Sequence, residues 1–171
     1  FVRAMQERFP DLRLIAEDLG FLTDDVIRLQ KDSGWPGMKV LELAFDSREP
    51  SNYLPHRYIR NCICYSGTHD NETLAQWLAQ TSETARAYAA EYLGLTEQEG
   101  YAWGILRSGL ASVADTFIAQ LQDYLGLGAE ARMNTPGTLS DRNWSWRLQP
   151  GLLTAELAHR LRRMNTMYER L

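Results

Sequence analysis

Four carboxylates in this chain stand at places where side-chain acids do chemistry. Glu17 and Asp18 close an apolar run over residues 12–16, and Asp46 closes a second run over 40–45. Asp70 follows His69 at the end of a third, in which residues 62–65 pass through Ser66-Gly67-Thr68. A strand that ends in a carboxylate and leads into a loop and a helix is how parallel α/β proteins gather acidic groups at one rim. If the three runs lie side by side, Glu17, Asp46 and Asp70 converge on one pocket, with Asp18 and His69 beside them.

The elements needed to hold them there can be read in order. Val2, Met5 and Phe9 have helical spacing, but no N-cap precedes them, so the chain is expected to open inside a helix and to be part of something larger. After a strand at 12–16, Thr23 is an N-cap candidate with Asp24 and Asp25 in the first turn. Gly34 is its C-cap candidate and Pro36 bars continuation. A nearly continuous apolar run over 38–45 predicts a strand covered on both faces, and 62–65 a third strand. Helical patterns follow over 72–80, 83–93, 96–108 and 111–125. The third carries a Thr96–Glu99 capping box, and the last has a stripe of Ala111, Ala114, Phe117, Ile118, Leu121 and Leu125. This divides the chain into acidic strands and loops over 1–71, a mainly helical insertion over 72–131, and a loop segment with a closing helix over 132–171.

Composition excludes more than it names. The chain has 171 residues, 44% hydrophobic and 23% charged, with a net charge of −4. Without a Lys/Arg-rich run, neither nucleic acid nor an anionic membrane is expected as partner. No apolar stretch approaches a membrane span, and cytoplasmic localisation is the expectation. Cys62 and Cys64 share one face of a strand, poorly placed for a mutual disulfide, and read as buried thiols. His56 reads as loop packing and His159 as surface. Trp77 and Trp103 read as core and Trp35 as a packing anchor. Of Trp144 and Trp146 at most one can face a ligand.

Taken together, several segments carry a resemblance. Ala16-Glu17-Asp18-Leu19-Gly20, Pro36-Gly37-Met38-Lys39-Val40-Leu41, Tyr53-Leu54-Pro55-His56, Gly67-Thr68-His69-Asp70-Asn71, residues 132–138 and Asn143-Trp144-Ser145-Trp146-Arg147 follow one another in this order. They resemble the C-terminal half of the 4-α-glucanotransferases, the amylomaltase or disproportionating-enzyme family.

That resemblance implies an α/β fold, the C-terminal part of a (β/α)8 TIM barrel with a helical insertion, incomplete as given. It implies retaining transfer of α-1,4-glucan segments between maltooligosaccharides, without metal or other cofactor. Glu17 matches the acid/base and Asp70 the assisting aspartate; Asp18, Asp46, His69 and Asn134 match positions bordering the sugars. The nucleophile's Arg-x-Asp-His-Phe motif does not occur in these 171 residues. Such chemistry needs a proton for the leaving oxygen and negative charge near an oxocarbenium-like carbon. Glu17 is therefore expected to be buried and to arrive protonated, and Asp70 to meet ring hydroxyls as a carboxylate.

Plainer roles stand beside these. Asp70 could be only the N-cap of the helix beginning near Glu72, and Asp18 or Asp46 only hydrogen-bond acceptors behind the site. A metal-dependent barrel hydrolase could instead use Glu17, Asp18, Asp46 and His69-Asp70 as ligands. An isolated, non-catalytic half-barrel would expose strand edges and self-associate.

Overall fold

Helix α1, Val2–Arg8, forms where the apolar spacing placed it, and Phe9 ends it. The computed structural model describes residues 1–20, 22–45 and 51–171, so Asp46 lies outside the described residues. Helix α2, Asp24–Ser33, begins after Thr23 and stops at Gly34, whose φ of 68° is the left-handed cap that glycine adopts at little cost.

Three parallel strands form one sheet in the order β1-β2-β3: β1 is Gly37–Val40, β2 Cys62–Tyr65 and β3 Thr116–Ile118. Met38 pairs with Ile63, and Cys64 with Phe117. The expected parallel α/β class is therefore present, with different membership. The 12–16 run forms no strand; it contributes a single parallel bridge, Ala16 to Gly37, in which the Ala16 N–H donates to the Pro36 carbonyl at 2.9 Å. Leu12 and Ile15 remain 51% and 45% exposed, so the run lacks the two-sided burial a central strand needs.

The 38–45 run also changes form. After Val40 it tightens into a 3-10 turn over Leu41–Phe45. Leu41 and Ala44 are buried together, as are Glu42 and Phe45, while Leu43 points out. That period of three is the 3-10 repeat, and it differs from a strand's alternation. An unbroken apolar run is compatible with both.

The expected helix over 111–125 is the largest correction. Helix α5, Tyr101–Ala111, ends at Ser112, and β3 and a short helix α6, Leu121–Tyr124, take up the remainder. The segment Thr116-Phe117-Ile118 is β-branched and aromatic, and Phe117 turns inward between outward-facing neighbours. Arg170 holds the junction: its guanidinium donates to the carbonyls of Leu110, Ser112 and Ala114 at 3.0, 2.7 and 2.8 Å. Helices α3 (Leu74–Gln80), α4 (Glu83–Leu93) and α5 thus form the crossover between two parallel neighbours, β2 and β3.

Caps set the remaining boundaries. Thr73, Ser82 and Thr154 accept N-cap hydrogen bonds for α3, α4 and the closing helix α7, Ala155–Met167. Thr96 accepts from the Glu99 N–H at 3.3 Å, but this turn precedes α5 and does not start it. The core centres on Phe45, whose ring meets Trp77, Tyr88 and Tyr92 at centroid distances of 6.1, 5.9 and 6.1 Å. Trp77 is buried as expected, and Trp103 is half-buried with Arg160 stacked over it at 3.5 Å. Cys62 and Cys64 are free and buried. Among the described residues no helix is long and apolar enough to cross a membrane.

Candidate active site

The acidic tip of β2 is built by local hydrogen bonding. The Asn71 side-chain oxygen accepts from the Thr68 N–H at 2.9 Å and from the Thr68 hydroxyl at 2.8 Å, and the Asn71 N–H returns to the Thr68 carbonyl. This tight turn throws His69 and Asp70 outward. Thr73, not Asp70, caps α3, so the carboxylate of Asp70 is free of that duty.

The segment following residue 131 comes to meet it. Asn134 Nδ2 donates to Asp70 Oδ1 at 2.6 Å. Arg132 donates to the Asp70 carbonyl at 2.8 Å and to the Asn134 carbonyl at 2.9 Å, and its third nitrogen lies 3.5 Å from Glu72 Oε1. His69 Nε2 stands 3.4 Å from Asp70 Oδ1, and its ring packs against Trp144 at 4.9 Å between centroids. Trp144 holds that place at a φ of 62°, a strained backbone for a bulky residue. It is the one of the two alternating tryptophans that reaches the acidic tip.

Glu17 and Asp70 line the same cavity, of about 660 Å³, with His69, Tyr65, Ile118 and Gln120 among its other walls. That volume falls within the range of about 300–1,000 Å³ typical of ligand sites. Glu17 lies close enough to Tyr65 that its charge adds to desolvation in pushing that phenol up. The burial expected of Glu17 is absent: its side chain is exposed at the mouth.

Asp18 faces elsewhere. Its Oδ1 accepts from the Met38 N–H at 2.6 Å and its Oδ2 lies 3.9 Å from Lys39 Nζ, which ties the Glu17-Asp18 segment to β1. A Cβ at Gly37 would collide with the Asp18 carboxylate, so glycine is required there for close approach. Asp18 lines a second cavity of about 700 Å³ with Lys39 and Tyr53. The structure thus brings Glu17, His69, Asp70 and Asn134 together and sets Asp18 on the neighbouring wall. Among the described residues no three His, Cys, Asp or Glu side chains gather as a metal-holding group.

Two buried acids lie behind this wall. Asp123 accepts from the Ser66 hydroxyl at 2.6 Å and the Leu74 N–H at 2.8 Å, and burial pushes its carboxyl up to about 6. Glu42 is 7% exposed, and burial, reinforced by Asp123 and Glu72, raises it to about 9. Neither acid is among the candidate site residues of the sequence, and Arg132 figures there only within residues 132–138. The visible signal was Glu42, an acid inside an otherwise apolar run.

This geometry has known relatives. The family model described as 4-alpha-glucanotransferase matches residues 1–154. A 4-alpha-glucanotransferase from Clostridium butyricum is 46% identical over 167 residues, which are 97% of this chain and 34% of that protein. One from Thermus thermophilus is 43% identical over 174 residues, 98% of this chain and 35% of that protein. Among solved structures, the amylomaltase from Streptococcus agalactiae in complex with acarbose superposes with a TM-score of 0.92 at 36% identity, over 98% of this chain and 34% of that one. The chain spans about a third of the length of the curated relatives it matches. With the acidic tip, its Asn134 clamp and these likenesses in agreement, the chain belongs to the 4-alpha-glucanotransferase family.

Proposed function

We propose that this chain carries the acid/base and the assisting carboxylate of a retaining 4-α-glucanotransferase, which passes α-1,4-glucan segments between maltooligosaccharides. Its sheet is then one arc of a (β/α)8 barrel, with residues 1–71 carrying the acidic strands and loops. Residues 72–131 are the mainly helical part, and 132–171 supply the substrate loop and closing helix. Glu17 gives its proton to the glycosidic oxygen as that bond breaks, and the anomeric carbon passes to a nucleophilic carboxylate roughly 5–5.5 Å from the acid. Glu17 then takes a proton from the incoming sugar hydroxyl as the glucosyl–enzyme bond breaks. Asp70 accepts hydrogen bonds from ring hydroxyls, which tighten as the ring distorts. His69, Asn134, Asp18 and Asp46 border the sugars. The nucleophile lies outside these 171 residues.

The observation that carries this proposal is the shared cavity of Glu17 and Asp70. Support comes from the Asn134–Asp70 bond and from a neighbour solved with acarbose, a carbohydrate ligand of that protein. We place the activity in the cytoplasm. Alone, the chain is expected to self-associate, since Leu12, Ile15, Val26 and Ile27 are exposed; a monomer by size-exclusion chromatography would contradict that. The function is tested by a chimera in which these 171 residues replace the matched third of the Clostridium butyricum relative. Conversion of maltotriose to glucose and longer dextrins supports the proposal. A folded chimera without transfer overturns it.

A further inference from the structure

The least expected group in this structure is Glu42. It sits at the start of the 3-10 turn after β1, and its backbone N–H donates to the Ser66 carbonyl at 3.3 Å, which carries the β1–β2 pairing one step beyond Tyr65. Its side chain then runs under the next residue. A Cβ placed on Gly67 would fall 2.8 Å from Glu42 Oε1 and 3.1 Å from Gln120 Nε2, so Gly67 is wedged between the two. Among the described residues Glu42 Oε1 has no hydrogen-bond partner, although it is fully enclosed. Ser66 is held from the far side by Asp123. Two residues past Gly67 stand His69 and Asp70.

We propose that Glu42 is a positioning residue: its enclosed carboxyl group is the floor that fixes Gly67, and through Gly67 the placement of Asp70 on the cavity wall. A buried acid with an unpartnered oxygen is costly to keep, and a hydrophobic or amide side chain would fill the space more simply. What distinguishes an acid is what happens when it ionises. The groups facing it are Asp123 on α6, Glu72 just before α3, and Arg132 after the turn at 129–131. Two are negative, so an ionised Glu42 must move away from them or draw Arg132 to itself. Arg132 is already holding the Asp70 carbonyl, the Asn134 carbonyl and Glu72. Either response reaches Asp70, by Gly67 or by Arg132. The protonated acid and the intact site are one state, and the ionised acid and a displaced Asp70 are the other.

This inference rests on the role proposed for Asp70, but its test reads structure and not turnover. Carbon-detected NMR of the 171-residue chain, titrated from about pH 6 to about pH 10, follows the Glu42 carboxyl carbon together with the Gly67 and Asp70 signals. The expected result is one transition near pH 9 shared by all three. In Glu42→Gln the Gly67 and Asp70 signals should stay at their low-pH wild-type positions throughout. Gly67 and Asp70 signals that stay flat through the Glu42 midpoint would overturn the proposal, as would the same transition persisting in Glu42→Gln. If that variant does not fold, the wild-type titration decides alone, because the coincidence of midpoints needs no variant. A chimera that folds without transfer activity would remove the catalytic role of Asp70 and leave the coupled titration to be judged separately.

Discussion

Asn134 donates its amide to Asp70 Oδ1 at 2.6 Å across 64 residues of sequence, and this bond ties the loop after β2 to the segment after α6. A hydrogen bond to a charged acceptor contributes about 1.5–3 kcal/mol. Its energy here orients one carboxylate oxygen of Asp70.

Asn134→Ala should therefore lower kcat/KM of the chimera for maltotriose by roughly 10- to 150-fold, the kinetic equivalent of that bond. Thermal stability should fall by less than the energy of that bond, because the pair is exposed and water can take the amide's place. Steady-state kinetics beside a melting curve checks both; an unchanged kcat/KM would remove the clamp from the account.

Trp144 should matter through His69. The two rings pack at 4.9 Å, and such contacts are worth about 0.5–1.5 kcal/mol. Trp144→Ala is expected to weaken maltooligosaccharide binding by about 2- to 12-fold through a less ordered His69. Isothermal titration with acarbose measures it, and undiminished affinity would show that the stacking plays no part.

Gly109 tests the packing under β3. A Cβ there would overlap the ring of Phe117, so Gly109→Ala must push the ring or the strand aside. Overpacking of this kind costs about 1–3 kcal/mol, more than the helix propensity gained by alanine. Urea unfolding should show a lower midpoint at unchanged slope.

Glu42 also sets a pH dependence of stability. Its carboxyl keeps the proton in the folded chain up to about pH 9, whereas the ordinary value is 4.5. Between these limits the folded state binds more protons than the unfolded one, so stability is fully present below the lower limit and falls as pH rises toward the upper. Glu42→Gln removes that slope. Its stability relative to wild type should be greater at about pH 8 than at about pH 5 by more than about 1.4 kcal/mol. Denaturant melts at the two values check this, and an equal difference would refute it.

How much of this was legible beforehand depends on where the determining contacts lie. Helix α2 was readable because Thr23, Asp24, Asp25, Gly34 and Pro36 are all local signals. β2 was readable because residues 62–65 are short, apolar and bounded by turn residues. The strand at Thr116–Ile118 was hidden by an apolar stripe with helical period; what ends α5 at Ser112 is Arg170, distant in sequence, bonding its last carbonyls. The same holds for residues 41–45, where burial of Phe45 among Trp77, Tyr88 and Tyr92 selects the tighter turn. At the site, the motifs singled out Asp70 and Asn134 separately, and the bond that joins them across the fold was not legible in either. The motif could not foresee that Asp18 would turn to β1, because that depends on the close approach of Gly37. Nor could it foresee that the buried acid would be Glu42 and not Glu17.

The pairing of Glu17 with Asp70 across one cavity is tested most directly by the rate of maltotriose disproportionation in the chimera carrying Glu17→Gln. Loss of a general acid/base should cut kcat by at least about 100- to 10,000-fold while acarbose affinity stays within a few-fold. A kcat near that of the unmutated chimera would contradict the assignment, whatever the cavity looks like.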